Sequence, residues 1–197
     1  MNLQDGKELI LLARKTIENY FSGEQKIKKT RFKNKRGIFV SIHTYPEHEL
    51  RGCIGFPYPI LELGEALQKA AISAAFKDPR FLPLKRQELN KIILEISILT
   101  EPKPIHANSP KEYAKKIQIG KDGLIIIYDH MSGLLLPQVP VEYGWSAEKF
   151  LEQLCFKAGL DPNILTNPDV KIYKFQCQIF QEKTPNGEVI EKNISQT

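Results

Sequence analysis

The hexapeptide Leu50-Arg51-Gly52-Cys53-Ile54-Gly55 constrains the fold more than any other stretch of this chain. Side chains two residues apart in a strand project from the same face, so Arg51 and Cys53 are expected side by side. Leu50 and Ile54 would then lie on the opposite face. The two glycines remove side chains where a second backbone or a ligand has to approach closely. The pattern therefore predicts a tightly packed strand that presents a thiol and a guanidinium together.

Composition limits the class of protein. The chain has 197 residues, of which 42% are hydrophobic and 26% are charged, as in an ordinary globular protein of one large domain or two small lobes. No apolar run approaches the ~20 residues of a membrane-spanning helix. Three cysteines without paired spacing make neither a disulfide framework nor a zinc motif. We therefore expect a reduced, cytoplasmic setting.

The excess positive charge is concentrated in one segment. The net charge is +5, and residues 26–36 hold seven lysines and arginines but no acidic residue. Phe32 is the only aromatic residue of this basic segment, which therefore lacks the interleaved rings on which single-stranded nucleic acids stack. A solvated, mobile loop is the favoured interpretation. The alternative is a patch that binds phosphate groups or nucleic acid.

Hydrophobic periodicity and turn residues predict the helices and strands. We expect helices at about 6–21, 61–76, 109–117 and 146–158, with Asp5 and Glu8 capping the first. We expect strands at 37–43, 50–55, 92–98, 124–129, 134–139, 173–179 and 189–190, with a hairpin turn at 130–133. Because helices and strands mix without regular βαβ alternation, the fold class is α+β, with a mixed, mainly antiparallel sheet and flanking helices. The best linker candidate within this single domain lies near 100–109.

Periodicity separates Cys53 from the other two cysteines. Cys155 falls on the apolar stripe of a predicted helix and Cys177 on the apolar face of a predicted strand, so both are expected to be small core residues. Cys53 shares its face with Arg51, whose charge would lower the thiol pKa and make a better nucleophile. The alternative is a structural thiol in a tight sheet, with Arg51 paired to a carboxylate.

Further candidates surround the thiol. A cysteine nucleophile needs a base, and His43 or His48 could approach Cys53 across the predicted hairpin. Asp78 and Arg80 flank a proline, which fixes the direction of the backbone. They could form an ion pair that holds a helix end, or they could orient a substrate.

Polar and aromatic residues follow the predicted strand 134–139, where they could line a cleft. They are Gln138, Glu142, Tyr143 and Trp145. The alternative is a packed corner with Trp145 in the core. The chain has no phosphate-binding loop, no dinucleotide fingerprint and no cluster of metal-ligand spacing, so we predict no cofactor and no metal.

The hexapeptide resembles the signature sequence of the AMMECR domain family. The likeness continues through Asp78-Pro79-Arg80-Phe81 and Ile119-Gly120-Lys121-Asp122-Gly123-Leu124, and holds in order and spacing from about residue 7 to 182. Further matching stretches are 37–40, 74–76, 95–99, 133–139, 144–145, 157–160 and 173–175. The lysine-rich segment and the histidines are not part of the family pattern.

The resemblance implies an α+β fold of two unequal lobes, with the hexapeptide near their junction. It also implies an association with Memo-type and radical S-adenosylmethionine proteins, as protein A of the AmmeMemoRadiSam system. It brings no established reaction with it.

Three hypotheses follow. The leading one is a cytoplasmic enzyme or enzyme subunit in which Cys53 is a nucleophile or substrate-thiol site and Arg51 is its activator or an anion clamp. The residues that would line its substrate site are Asp78, Arg80, Gln138, Glu142 and Trp145. The alternatives are a non-catalytic binding or scaffold module with a structural cysteine, and a nucleic-acid-binding protein that uses residues 26–36.

Overall fold

The chain forms two compact units in a computed structural model that describes residues 1–24, 26–107 and 109–194. The first unit consists of Met1–Leu99 with Gln178–Lys192, and the second of Thr100–Cys177 with Asn193 and Ile194. The predicted α+β class is confirmed, but the strands form two sheets, of five and four strands, instead of one. The region in which we expected a linker, 100–109, contains a short strand.

Helices and strands alternate irregularly along the chain. The helices are α1 (Leu3–Phe21), α2 (Leu63–Phe76), α3 (Pro110–Lys115), α4 (Val139–Glu142) and α5 (Ala147–Lys157). The strands are β1 (Ile38–Thr44), β2 (Leu50–Phe56), β3 (Ile92–Leu99), β4 (Lys103–Ile105), β5 (Gly123–Tyr128), β6 (Met131–Leu135), β7 (Lys171–Phe175), β8 (Cys177–Glu182) and β9 (Val189–Lys192). Short 3-10 helices occur at Arg86–Lys91 and Pro162–Thr166.

The first unit is a five-stranded sheet with α1 and α2 packed on one face. The strand order is β2-β1-β3-β8-β9, so the hexapeptide strand β2 lies at an edge. Ile38, Val40 and Ile42 alternate along β1 and are buried in the core that the two helices share with the sheet. The residues between them point to the other face, as strand geometry requires.

The cap of α1 differs from the predicted one. The Asn2 side chain accepts a hydrogen bond from the backbone N–H of Asp5 at 2.8 Å, and the Asp5 carboxylate accepts one from Asn2 N–H at 3.0 Å. Asp5 is therefore the third residue of a capping box, which begins the helix three residues earlier than expected.

Small residues let α2 lie directly on β2. Ala70, Ala71 and Ala74 are buried on the helix face that meets the sheet. A Cβ atom built on Gly52 would collide with the carbonyl oxygen of Ala74. The glycine therefore allows the close backbone approach that the sequence predicted. This contact sets the distance between β2 and α2.

The second unit is a four-stranded sheet in the order β4-β7-β5-β6. Its core includes Phe150 and Leu154 of α5 together with Ile172 of β7. Serine side chains cap two helices of this unit: Ser109 accepts a hydrogen bond from Glu112 N–H, and Ser146 accepts one from Lys149 N–H.

The hairpin of the second unit turns earlier than predicted. Tyr128 pairs with Met131, so the turn is Asp129-His130 and not 130–133. Gly133 lies inside β6, where an added Cβ would come within 3.0 Å of the helix backbone at Ala158. The glycine that suggested a turn instead permits a close helix contact.

The strand predicted over 173–179 is two strands in different sheets. β7 ends at Phe175 and joins the second sheet, whereas β8 begins at Cys177 and joins the first. The apolar alternation runs unbroken across Gln176, so periodicity cannot reveal the break. Cys177 is consequently half-buried at the start of a strand, and its expected core position is wrong.

The basic segment is attached to the helices and is not a free loop. The Gln68 side chain exchanges two hydrogen bonds of 2.8 Å with the backbone of Lys28. Arg31 forms ion pairs with Asp5 at 2.6 Å and with Glu8 at 2.8 Å. Part of the positive charge of the segment is therefore neutralised by ion pairs within the fold. This weakens the nucleic-acid hypothesis but does not test it.

The Gly52 contact predicts a specific loss of stability. Gly52→Ala should lower the free energy of unfolding by about 1–3 kcal/mol, because the added methyl group has to push α2 away from β2. Urea unfolding measures the change. Glu49→Ala, at an exposed residue just before the same strand, is the control and should change stability by less than about 0.5 kcal/mol. Equal effects of the two substitutions would contradict the close-approach role.

Candidate functional site

Cys53 is fixed through its backbone by the Asp78–Arg80 pair. β2 is an edge strand, so the outward N–H and C=O groups of Cys53 have no neighbouring strand to bind. The Asp78 carboxylate accepts the Cys53 N–H at 2.9 Å, and Arg80 Nη2 donates to the Cys53 carbonyl at 3.1 Å. The pair takes the place of a neighbouring strand at this single residue. We call these two bonds the Cys53 clamp.

Asp78 is the buried centre of the Cys53 clamp. Its carboxylate also accepts hydrogen bonds from Arg80 Nε at 3.0 Å and from Arg80 Nη2 at 2.7 Å. These bonds to Arg80 outweigh the cost of burial and lower the pKa of Asp78 to about 2. Pro79 lies between the two residues and restricts the backbone that follows the end of α2. Of the two roles that the sequence allows for Asp78 and Arg80, an ion pair or a substrate contact, the ion pair is present.

Arg51 binds Glu88 and not the thiol. The register between β1 and β2 shifts next to His43, which leaves Arg51 as the unpaired residue of a bulge. A bulge redirects side chains, and the Arg51 guanidinium makes two bonds to the Glu88 carboxylate, at 2.8 and 3.2 Å. Glu88 also accepts the Lys85 N–H at 2.7 Å. This is the carboxylate pairing that the sequence offered as the alternative for Arg51.

The Cys53 thiol lies beside a hydroxyl group and a second guanidinium. Ser41 on β1 is directly opposite Cys53, and its Oγ–H donates to Sγ at 3.3 Å. Burial raises the pKa of the Cys53 thiol, and the Ser41 hydrogen bond and the charge of Arg80 offset only part of that rise. The thiol is therefore neutral at physiological pH, and the cation that acts on it is Arg80, not Arg51.

A line of polar side chains crosses the face of the first sheet that α1 and α2 leave uncovered. Cys53, Ser41 and Glu95 are successive register partners on β2, β1 and β3. Lys192 on β9 reaches Glu95 at 3.1 Å, and Glu95 is only 3% exposed. We call this group the polar row. No signal in the sequence connects Glu95 to the thiol.

Two polar atoms lie on either side of the polar row. His43 and Ser97 follow Ser41 and Glu95 by two residues on their strands, so they share the face. His43 Nε2 and Ser97 Oγ are buried, and neither has a hydrogen-bond partner in the described part of the chain. Native structures contain few such atoms. The sequence gave no indication that Ser97 would be one of them.

The remaining predicted site residues belong to the second unit. Gln138 is buried at the start of α4, whereas Glu142 at its end is exposed. Tyr143 stacks on Trp145 with ring centroids 4.9 Å apart, and Trp145 packs against the core as the alternative interpretation expected. Whether these residues line a substrate site stays a prediction.

Other chemistry on the described residues is limited. Cys155 is fully buried, as predicted, and burial raises its thiol pKa to about 11. Within the described ranges no three histidine, cysteine or acidic side chains are grouped so as to hold a metal ion. In the same ranges no helix combines the length and the apolar character needed to cross a membrane.

Comparison with known proteins defines the class. The sequence profile of the AMMECR1 family matches residues 10–180. The chain is 54% identical to Protein MJ0810 of Methanocaldococcus jannaschii over 98% of both chains, and 47% identical to Protein MK0488 of Methanopyrus kandleri over 100% of this chain and 97% of that one.

A solved structure supports the same assignment. The crystal structure of uncharacterized protein PH0010 from Pyrococcus horikoshii is similar with a TM-score of 0.93 and 44% identity, covering 98% of each chain. The edge strand with its hexapeptide and the two-sheet α+β fold are thus those of an AMMECR domain. This chain belongs to the AMMECR1 family, as the motif resemblance indicated.

The lowered pKa of Asp78 makes its contribution to stability depend on pH. A carboxyl group with a lowered folded-state pKa stabilises the fold above its ordinary pKa of 3.8 and loses that effect as pH falls toward 2. Asp78→Asn should therefore cost about 1–2 kcal/mol at pH 7, allowing for solvent screening at the half-exposed Arg80. The difference from the unaltered protein should shrink between pH 4 and pH 2.

Urea unfolding at pH 7 and at pH 2.5 measures this difference. Asp169→Asn is the control, because this carboxylate is exposed and should change stability little at either pH. A penalty for Asp78→Asn that is the same at both pH values would contradict the role of the charged carboxylate.

Proposed function

We propose that the protein is an enzyme or enzyme subunit whose reaction centre is the Cys53 thiol. The observation that carries this proposal is the Cys53 clamp, which holds the thiol beside Ser41 and the half-exposed guanidinium of Arg80. A reactive group gains rate when its surroundings hold it in one orientation. Arg80 then has two tasks: it binds the Cys53 carbonyl and favours negative charge on the sulfur as a bond forms.

The exposed part of the Arg80 guanidinium could also bind a substrate. Its Nε and Nη2 atoms bind Asp78 and Cys53, while the side chain is 45% exposed. A guanidinium in this position suits a carboxylate or phosphate group on the substrate. Arg80 thus takes over the anion-clamp part that the sequence suggested for Arg51. The contribution of Gln138, Glu142 and Trp145 to the same substrate is part of the proposal and rests on sequence alone.

The partners in this proposal are Memo-type and radical S-adenosylmethionine proteins. The support is the family association that the hexapeptide implied, together with the family membership of the chain. The substrate would be a small molecule or a modified macromolecule that those proteins also handle, in the cytoplasm.

A second candidate is a non-catalytic binding or scaffold module. The raised pKa of the Cys53 thiol favours it, because a neutral thiol is a weak nucleophile. The Arg51–Glu88 pair favours it as well, since Arg51 then joins β2 to the 3-10 helix at Arg86–Lys91. In this case Cys53 would be a packing residue of the edge strand.

Alkylation of the native protein distinguishes the two candidates. The enzyme proposal predicts that iodoacetamide reaches Cys53 in the folded protein, with a rate that still rises above pH 8.5, because the thiol pKa is higher than the usual ~8.5. Arg80→Gln should slow the reaction severalfold at pH 8, since it removes the cation beside the sulfur. Peptide mass spectrometry follows each cysteine separately, with half-buried Cys177 as the internal reference.

Stability of Cys53→Ser gives the second readout. The enzyme proposal predicts a loss below about 1 kcal/mol in the free energy of unfolding, because the backbone clamp does not use the side chain. A Cys53 that resists alkylation up to pH 10, together with a larger loss of stability in Cys53→Ser, would favour the scaffold candidate and reject the enzyme.

A further inference from the structure

A reaction through Cys53 needs a group that removes the thiol proton. Burial keeps the thiol neutral, and only the thiolate is a strong nucleophile. Ser41 cannot take the proton in the arrangement observed, because its own Oγ–H donates to Sγ. Arg80 is a cation and has no acceptor atom. The base must therefore come from another residue on the same face of the sheet.

His43 is in the right place on that face. It follows Ser41 by two residues on β1, and Ser41 is the register partner of Cys53. His43 therefore lies on the same face as the Ser41–Cys53 pair, at the point where the register between β1 and β2 shifts.

The ring also has a free acceptor atom. Nε2 is buried and has no hydrogen-bond partner among the described residues. Burial lowers the pKa of the ring, while the charge of Glu95 and an interaction with the backbone of His48 raise it in part. A proton on Nδ1 leaves the lone pair on Nε2. Nε2 is thus a buried acceptor without a donor among the described residues.

We propose that His43 Nε2 is the proton acceptor for the Cys53 thiol, an inference that rests on the proposed function. Nε2 and Sγ form no hydrogen bond at rest, so the ring has to approach the thiol when a substrate binds. The proton then passes from Sγ to Nε2, and the electron pair of the S–H bond forms a bond to an electrophilic carbon of the substrate. The bond from that carbon to its leaving group breaks, and the leaving group keeps the electron pair. His43 then returns the proton to the leaving group.

Each charge formed in this transfer faces an opposite charge. The sulfur has Arg80 and the Ser41 hydroxyl, and the imidazolium has the carboxylate of Glu95. Other groups act against the transfer: Lys192 disfavours the imidazolium, and Asp78 and Glu95 disfavour the thiolate. Burial disfavours both charged forms. Both groups are therefore neutral at rest, and the proton moves only as the new bond forms.

The pH profile of Cys53 alkylation tests the transfer. Without a base the rate falls about tenfold for each pH unit below the thiol pKa. With His43 as base the fall should level off between pH 8 and pH 6, and His43→Gln should abolish the levelling. Rates above the thiol pKa should be the same in both proteins, because there the thiolate forms without help. His48→Asn, at the exposed histidine of the adjacent turn, should retain the unaltered profile.

The outcomes separate this inference from the proposed function. A reactive Cys53 whose profile is the same in His43→Gln, or is lowered equally at every pH, overturns the inference alone. A Cys53 that is unreactive at every pH overturns both.

A nuclear magnetic resonance measurement on the unaltered protein needs no variant that might unfold. The ring nitrogens of His43 should show the proton on Nδ1 near pH 7, and a proton on Nε2 would overturn the inference.

Discussion

The arrangement of the first unit around the thiol depends on two hydrogen bonds to one residue. Asp78 and Arg80 bind the N–H and the C=O of Cys53 at the open edge of the sheet. An edge strand without such cover exposes backbone groups to water and to other chains. The clamp removes that exposure at the residue where the thiol has to be held, and it connects β2 to the end of α2. Gly52 completes the connection, because it brings the two backbones into contact.

The clamp also explains the chemistry of the thiol. The backbone N–H and C=O of Cys53 point away from β1 and bind Asp78 and Arg80. Cys53 and Ser41 therefore form a non-hydrogen-bonded pair of the antiparallel ladder, in which the two side chains lie close together. This geometry creates the contact between Sγ and the Ser41 hydroxyl and begins the polar row. The result is a rigid but neutral thiol, which needs a base before it can react. His43 lies on the same face and has a buried Nε2 without a hydrogen-bond partner among the described residues, which is why we propose it as the base.

Much of the fold could be predicted from local sequence, and the site only in part. The buried faces of α2, β1 and β3 follow from periodicity, and Cys155 was assigned correctly to a core. Arg51 was misjudged because strict alternation ignores a bulge, and nothing local indicates that β2 contains one. The 173–179 stretch was misjudged because the same alternation serves two different sheets. Glu88 was missed because it lies 37 residues from Arg51, and only tertiary structure brings the two together. Ser41 was missed because periodicity does not fix the register that places it opposite Cys53.

Amide hydrogen exchange at Cys53 tests the central claim most directly. If the clamp holds the edge strand, the Cys53 amide should exchange as slowly as the amides of β1, although it lies at the outer side of the sheet. Asp78→Asn should raise its exchange rate while the β1 amides stay protected. A Cys53 amide that exchanges as fast as that of the exposed turn residue Glu47 would contradict the account.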